Sequence, residues 1–429
     1  MKKLCLSSRL LALLGVWSIQ TVAAQDSVTT LTGEGLVSGV SNGFRTNALF
    51  SDPAGMCVDL TGNLYLADSQ NHAIRKIDRN GMVSTFAGQL GTRGKSNGTG
   101  AQAQFDSPCG IGSDQHGNLF VSDTGNHTVR KITLEGVVTT VAGIAGQSGF
   151  ANGAASSALF SSPLGIKVAT TGPIFVCDSG NHVIRGISPS GIVTTFAGDH
   201  GVWGSDDGIG LEARFNGPVG LALDNQGNLF VSDSNNHTIR KITPASAVST
   251  WAGSAGVDGC RNGAARIATF CNPAELAIDR KNNLFVADSF NHVIRMISTD
   301  RTVSTVSGAV GEYGTTDGVN GQARFFNPYG IGINPDGSLI IADAYNQLIR
   351  VVLPPLSLAI QTSRTNGAVT LFWDSIIGKE YQVQYKNTID SADWFSLGAP
   401  VIATNLTATQ IDNPLGSAPQ RIYRVVVVP

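Results

Sequence analysis

One decapeptide, DSNNHTIRKI at residues 233–242, is written six times in this chain with small changes, and nothing constrains the fold more. The other copies begin at Asp68, Asp123, Asp178, Asp288 and Asp343, and successive copies are 123 − 68 = 55 residues apart throughout. Arg75, Arg130, Arg185, Arg240, Arg295 and Arg350 keep the same interval, as do Phe50, Phe105, Phe160, Phe215, Phe270 and Phe325. An unbroken period of this length marks a repeat architecture, in which each unit buries its faces only against its neighbours.

Each unit has a four-part grammar. In the fourth, residues 220–224 and 229–233 alternate apolar and polar positions around the turn residues 225–228, and further runs cover 237–242 and 248–252. Four short strands at this spacing predict one antiparallel sheet per unit. The 51 glycines and 14% charged residues suit short strands and tight turns.

Six such sheets could form an open solenoid or a closed ring. The sixth unit stops after its third strand, at Val351-Val352, and the missing piece lies at the other end of the chain. Residues 28–33 match residues 83–88, since 88 − 33 = 55. A strand lent by the N-terminal end to the last unit closes a ring and removes an exposed edge. The predicted fold is all-β: a six-bladed β-propeller of four-stranded blades over residues 25–353, its sixth blade completed by the N-terminal strand.

The repeated block GNLFVSDSNNHTIRKI, with P-x-G ahead of it, resembles the NHL repeat over about three quarters of the chain. The resemblance implies a six-bladed propeller and, most often, a binding platform. It also admits two other roles, a metal-dependent lyase or hydrolase and an extracellular sensor domain. The chain departs from the pattern at Gln347, where the other units have His, at Gly172-Pro173, where they have Gly-Asn or a near variant, and at Glu275, where they have Gly.

The units are longer than a typical NHL repeat, and the extra residues lie between the fourth strand of one and the first strand of the next. Each insert carries an Asx-Gly pair (Asn42-Gly43, Asn97-Gly98, Asn152-Gly153, Asp207-Gly208, Asn262-Gly263, Asp317-Gly318), which predicts a tight turn. The following Ala-x-Phe is expected to pack the insert onto its sheet. In a meander the inserts and the Asp-x-x-Asn-His turns emerge on one face, which becomes the expected recognition face. Asp206, Asp207 and Asp317 are candidate binding residues there.

His72, His127, His182, His237 and His292, with the six Asp and six Arg of the decapeptide, could suggest a metal ring. A side chain needed once per unit reads better as structural. The Asp carboxylates are expected to accept backbone N–H groups of the following turn, and the arginines to bridge neighbouring units. A functional site in a pseudo-symmetric ring should break the symmetry, and two first-strand residues do. Glu275 stands where the other units have Gly55, Gly110, Gly165, Gly220 and Gly330. Lys167 stands where they have Cys57, Gly112, Ala222, Ala277 and Gly332. The pair is a candidate channel-mouth site but makes neither a metal cage nor a nucleophile with its base. No cofactor, metal or catalytic residue is expected.

Lys2 and Lys3, an apolar run over residues 10–19 and Val22-Ala23-Ala24 predict a signal peptide over residues 1–24. The expected location is therefore secreted, periplasmic or cell-surface. Without Lys2, Lys3 and Arg9, 26 basic residues face 31 acidic ones, a balance of −5 that argues against nucleic acid as partner. A monomer without membrane insertion is expected. Export permits a disulfide, and Cys260 with Cys271 is the expected pair, because Lys95 and Asp106 at the equivalent positions look like partners across the insert.

Residues 356–429 form a separate module after Pro354-Pro355. Its alternating runs at 369–373 and 381–385, with Trp394 and a Y-R-V run at 423–425, resemble a fibronectin type III-like β-sandwich. The functional expectation is a scaffold that binds a protein or glycan through its insert face; the alternative is the metal-dependent enzyme at the channel.

Overall fold

The computed structural model describes residues 27–59, 61–319, 321–353, 358–362, 369–375, 380–388, 391, 393–404, 407–412 and 421–427. The expected signal peptide lies outside these residues. They contain no α-helix, and no helix long and apolar enough to cross a membrane. Residues 27–353 make one compact unit, and the described residues from 358 onward belong to a second.

The first unit consists of six antiparallel sheets. In the first sheet the innermost strand is Pro53–Val58, followed outward by Leu64–Asp68, Ala73–Ile77 and Met82–Ala87. The innermost strands contact one another in a closed cycle, with Pro328–Ile333 of the sixth sheet beside both Pro273–Ile278 of the fifth and Pro53–Val58 of the first. Ser27–Thr32 pairs with Leu348–Leu353, placing Val28 opposite Val352, so the N-terminal strand fills the vacant position in the sixth sheet.

Every sheet has five strands, not four. The fifth is a two-residue strand from the insert, such as Gly43–Phe44, which pairs Gly43 with Val83 at the outer edge. This corrects the reading of the Asx-Gly pairs as tight turns. Gly43, at φ 151, sits in extended positive-φ backbone that favours glycine. The Asn42 amide oxygen points inward and accepts from Arg75 Nη2 at 2.9 Å. Polar backbone that a solvent-facing insert would expose is thereby paired.

The innermost strands approach closely, which explains the first-strand glycines. A Cβ on Gly55, Gly110, Gly165, Gly220 or Gly330 would lie 2.0–2.5 Å from a carbonyl oxygen of the neighbouring innermost strand. The Ala-x-Phe residues bury completely, Ala48 and Phe50 among them. Each Phe ring lies beneath the repeat arginine, with the Arg75 guanidinium carbon 5.2 Å from the Phe50 centroid.

In the second unit, Leu358–Thr362, Val369–Asp374 and Thr407–Asp412 form one antiparallel sheet, and Glu380–Lys386 pairs with Phe395–Ser396, Val401–Ile402 and Ile422–Val427 in another. Leu371 and Trp373 of the first sheet share one apolar cluster with Tyr381, Val383 and Tyr423 of the second.

Candidate functional site

The decapeptide side chains are consumed by the scaffold. Asp68 Oδ2 accepts from Asn71 Nδ2 and Arg75 Nη1, and Oδ1 accepts the Ser51 N–H at 2.8 Å. That N–H lies upstream of the strand, not in the following turn. Arg75 also donates to the carbonyls of Leu49 and Ser41, so it locks its own sheet to its own insert and does not bridge units. The other five units repeat this network. Burial pushes the Asp68, Asp123, Asp233, Asp288 and Asp343 carboxyls up to about 6, against the pull of their arginines.

The histidines do bridge neighbouring units. His72 ends the short 3-10 turn in the left-handed region, at φ 55. Its Nδ1 accepts the Ser107 N–H of the next unit at 3.0 Å. His127, His182, His237 and His292 accept in the same way from Ser162, Gly217, Asn272 and Asn327. Every one of these donors is itself at positive φ. An acceptor Nδ1 requires a neutral ring with its proton on Nε2. Burial lowers the pKa of His72, His182 and His292.

Asp207 and Asp317 stand at the Asx position of their inserts, where each carboxylate takes a second bond from an arginine, Arg240 at 2.7 Å and Arg350 at 2.6 Å. Asp206 offers its backbone carbonyl to Arg240. The geometry gives all three scaffold contacts.

The expected Cys260–Cys271 bond is not formed; both thiols are free. The premise fails in the second insert, where Asp106 pairs with Arg93 at 2.8 Å while Lys95 reaches the Ala145 carbonyl. Arg93 bridges Phe105, the residue before Asp106, and its counterpart Asp258, not Cys260, bridges Phe270, the residue before Cys271. Cys260 Sγ sits 3.3 Å from Arg295 Nη1 instead. Burial pushes the Cys260 thiol up to about 11, with Arg295 opposing.

Glu275 and Lys167 both border the central space. At its insert end that space is filled by side chains: Tyr329, Leu164 and Cys109 pack together, and the Cys109 thiol lies 3.1 Å from the Tyr329 hydroxyl. Glu275 is buried, its carboxylate 3.4 Å from the Leu276 N–H. Burial raises its pKa, while Lys167 and the N–H groups of Leu276 and Leu221 oppose the rise. Lys167 lines a cavity of about 900 Å³ formed by the far ends of the innermost strands and the turns after them, including Thr170, Thr171 and Asn225. That cavity is at the opposite end from the inserts. Among the described residues, no three His, Cys, Asp or Glu side chains converge as a metal site.

The insert face has a symmetry break that the first-strand comparison misses. In the sixth unit Tyr313 stacks on Phe326 at 4.6 Å, Phe326 meets Tyr345 edge-on at 5.1 Å, and His292 packs against both Tyr313 and Phe326. Tyr313 is 65% exposed and Tyr345 50%, so the cluster presents aromatic surface outward. The equivalent triplets are Ser38, Ser51, Gln70; Arg93, Asp106, Gly125; Ser148, Ser161, Gly180; Trp203, Asn216, Asn235; and Asp258, Cys271, Phe290. No other unit has more than one aromatic among the three. Comparing the loops by register, as the strands were compared, would have found it.

Comparison with known proteins agrees with this architecture. A profile of the NHL repeat matches residues 50–77 and 215–242. These two segments are similar to NHL repeats. The chain is 28% identical over 390 residues to NHL repeat-containing protein 2 of Bos taurus, a match covering 81% of this chain and 53% of the relative. It therefore spans about half of that relative's length. Among solved structures, a protein of unknown function from Bacteroides thetaiotaomicron superposes with a TM-score of 0.61 at 21% identity, over 76% of this chain and 75% of that one. An auxiliary nutrient binding protein from Bacteroides ovatus gives 0.58 at 16% identity, over 77% of each. The structural likenesses establish a propeller-like fold and nothing finer.

Proposed function

We propose that this chain is an exported six-bladed NHL-repeat propeller, with a fibronectin type III-like module after it, that binds a protein or glycan through its insert face. The observation that carries the reading is the exposed Tyr313–Phe326–Tyr345 cluster. Rigid aromatic side chains with a polar tip supply large contact area at little entropic cost, and they dominate binding hot spots. Here they sit on loops anchored by the buried arginine network, the arrangement expected of a binding surface on a rigid scaffold. The module after the propeller is assigned a spacing or attachment role. Secretion to the periplasm, medium or cell surface follows from the expected signal peptide over residues 1–24.

The alternative, a metal-dependent lyase or hydrolase at the channel, needs a donor set that Glu275 and Lys167 do not provide, and no step is derived through a metal. The test is a screen of the purified protein on a glycan array and against exported proteins of its source by crosslinking. Any ligand found is then offered to the triple variant Tyr313→Ser, Phe326→Ser, Tyr345→Gln, which carries the first unit's residues. Loss of at least tenfold in affinity supports the reading. A ligand held equally well by parent and variant sinks it.

A further inference from the structure

The cavity at the other end of the central space has no part in the insert-face reading, and its chemistry is specific. Its volume, about 900 Å³, is within the range of small-molecule sites, roughly 300–1,000 Å³. Its walls are largely apolar, with Met56, Val168, Leu223, Leu276, Ile278 and Ile331 drawn from five of the six innermost strands. Two charged side chains line it. Asp224 is satisfied in its own turn, accepting from the N–H groups of Gln226 and Asn228 and from the Asn228 amide. Lys167 is not. Among the described residues its ammonium has no hydrogen bond and no ion pair, although it acts electrostatically on Glu275 and on the Cys57 thiol.

The scaffold does not need a lysine here. The other units carry Cys57, Gly112, Ala222, Ala277 and Gly332 at this position. Lys167 is half-buried among apolar walls, and among the described residues its ammonium has no hydrogen-bonded partner there. An anion entering the cavity would supply the missing partner through charge-assisted hydrogen bonds. Glu275, deeper in the same space, disfavours ligands bearing several negative charges.

We propose that this cavity is a binding site for a small monocarboxylate with an apolar body, its carboxylate on Lys167 and its chain against Met56, Leu276 and Ile331. The site is separate from the insert face and stands or falls independently of the macromolecular reading.

Isothermal titration calorimetry on the full chain tests this with octanoate, 1-octanol and octylammonium as probes. Octanoate binds one to one, at least tenfold more tightly than 1-octanol, and octylammonium does not bind. Lys167→Ala, which installs the residue of the fourth and fifth units, lowers octanoate affinity at least tenfold without lowering the melting temperature. Lys167→Arg retains binding, which separates loss of charge from loss of fold. Absence of saturable octanoate binding in the low-millimolar range overturns the proposal. So does undiminished binding by Lys167→Ala, or binding of 1-octanol as tight as that of octanoate.

Discussion

Gln347 Oε1 accepts the backbone N–H of Asp52 at 2.7 Å, joining the sixth sheet to the first. The bond spans 295 residues of sequence and repeats, with an amide oxygen, what an imidazole Nδ1 does at the other five joints. The one residue that departs from the histidine pattern therefore conserves the contact and changes only its chemistry.

This equivalence makes the joint interchangeable. Gln347→His should keep the melting temperature within about a degree, because His adopts the same left-handed backbone at five other joints. Gln347→Ala leaves the Asp52 N–H without its acceptor and should cost about 1–3 kcal/mol. Thermal or urea unfolding of both variants checks this. Equal losses from His and Ala would show that the oxygen–amide bond does not hold the joint.

Closure also depends on the borrowed strand. Ser27–Thr32 makes an antiparallel ladder with Leu348–Leu353, interrupted by a register shift between Thr30 and Thr32, and Val28 is buried in the core cluster of the sixth sheet. Deleting residues 25–33 should expose the edge of the strand carrying Arg350 and lower the melting temperature of residues 27–353 by several degrees or prevent folding. A truncated protein that melts with the parent would contradict a load shared around the ring.

Much of this was legible because one period governs everything. Residue spacing alone predicted the sheet order and the exchange of Val28 for a missing strand, since both follow from which positions share a register. What escaped were contacts between parts of a unit that no register relates. The pairing of Arg75 with the Asn42 amide depends on a loop folding back as a fifth strand, and the His72–Ser107 bond depends on two left-handed backbones meeting. The disulfide expectation failed by two residues, because Arg93 rather than Lys95 faces Asp106. The aromatic cluster escaped for a different reason: only the strands were compared unit by unit, and Tyr313, Phe326 and Tyr345 lie at equivalent positions of three loop segments, where the same comparison shows the sixth as the only unit with three aromatics.

The first-strand glycines and Glu275 make opposite predictions at one position. Gly165→Ala would place a Cβ about 2.3 Å from the Val219 carbonyl oxygen, a backbone atom that cannot move without shifting the next sheet. The overpacking should cost about 1–3 kcal/mol or more. Glu275→Gly installs the residue of the other units, removes a buried carboxyl and should be neutral or stabilising. Comparing denaturation midpoints of the two variants decides it, and a Gly165→Ala protein as stable as the parent would refute the close-approach argument.

The buried ion pairs should be far more costly to break than the exposed one. Arg130→Met leaves Asp123 buried without its charge partner and should destabilise by about 3–5 kcal/mol. Glu312→Gln removes the Arg324–Glu312 pair, whose carboxylate is 64% exposed, and should cost about 1 kcal/mol or less. Urea unfolding of the two variants should rank them in that order with a wide gap. Similar losses would mean that the Arg130 network contributes no more than a surface contact.

The joints should also respond to acid. His72 has a lowered pKa in the folded protein, through burial first, with Asp106 at 3.9 Å opposing and Arg93 adding a smaller push downward. A depressed pKa means that the folded state binds the proton less readily than the unfolded chain. The contribution of His72 to stability is then fully present above the ordinary histidine value, about 6.5, and is lost as pH falls from there through the folded value. The buried carboxyls act in the opposite sense. Their raised values near 6 mean stability that is present at low pH and lost as pH rises. The measurement must therefore be a difference at each pH. His72→Gln keeps an acceptor, as Gln347 does, but cannot titrate. Its melting temperature minus that of the parent should rise as pH is lowered from 7.5 to about 5. A difference that stays flat or falls over that window would show that His72 does not enter its joint as the neutral acceptor.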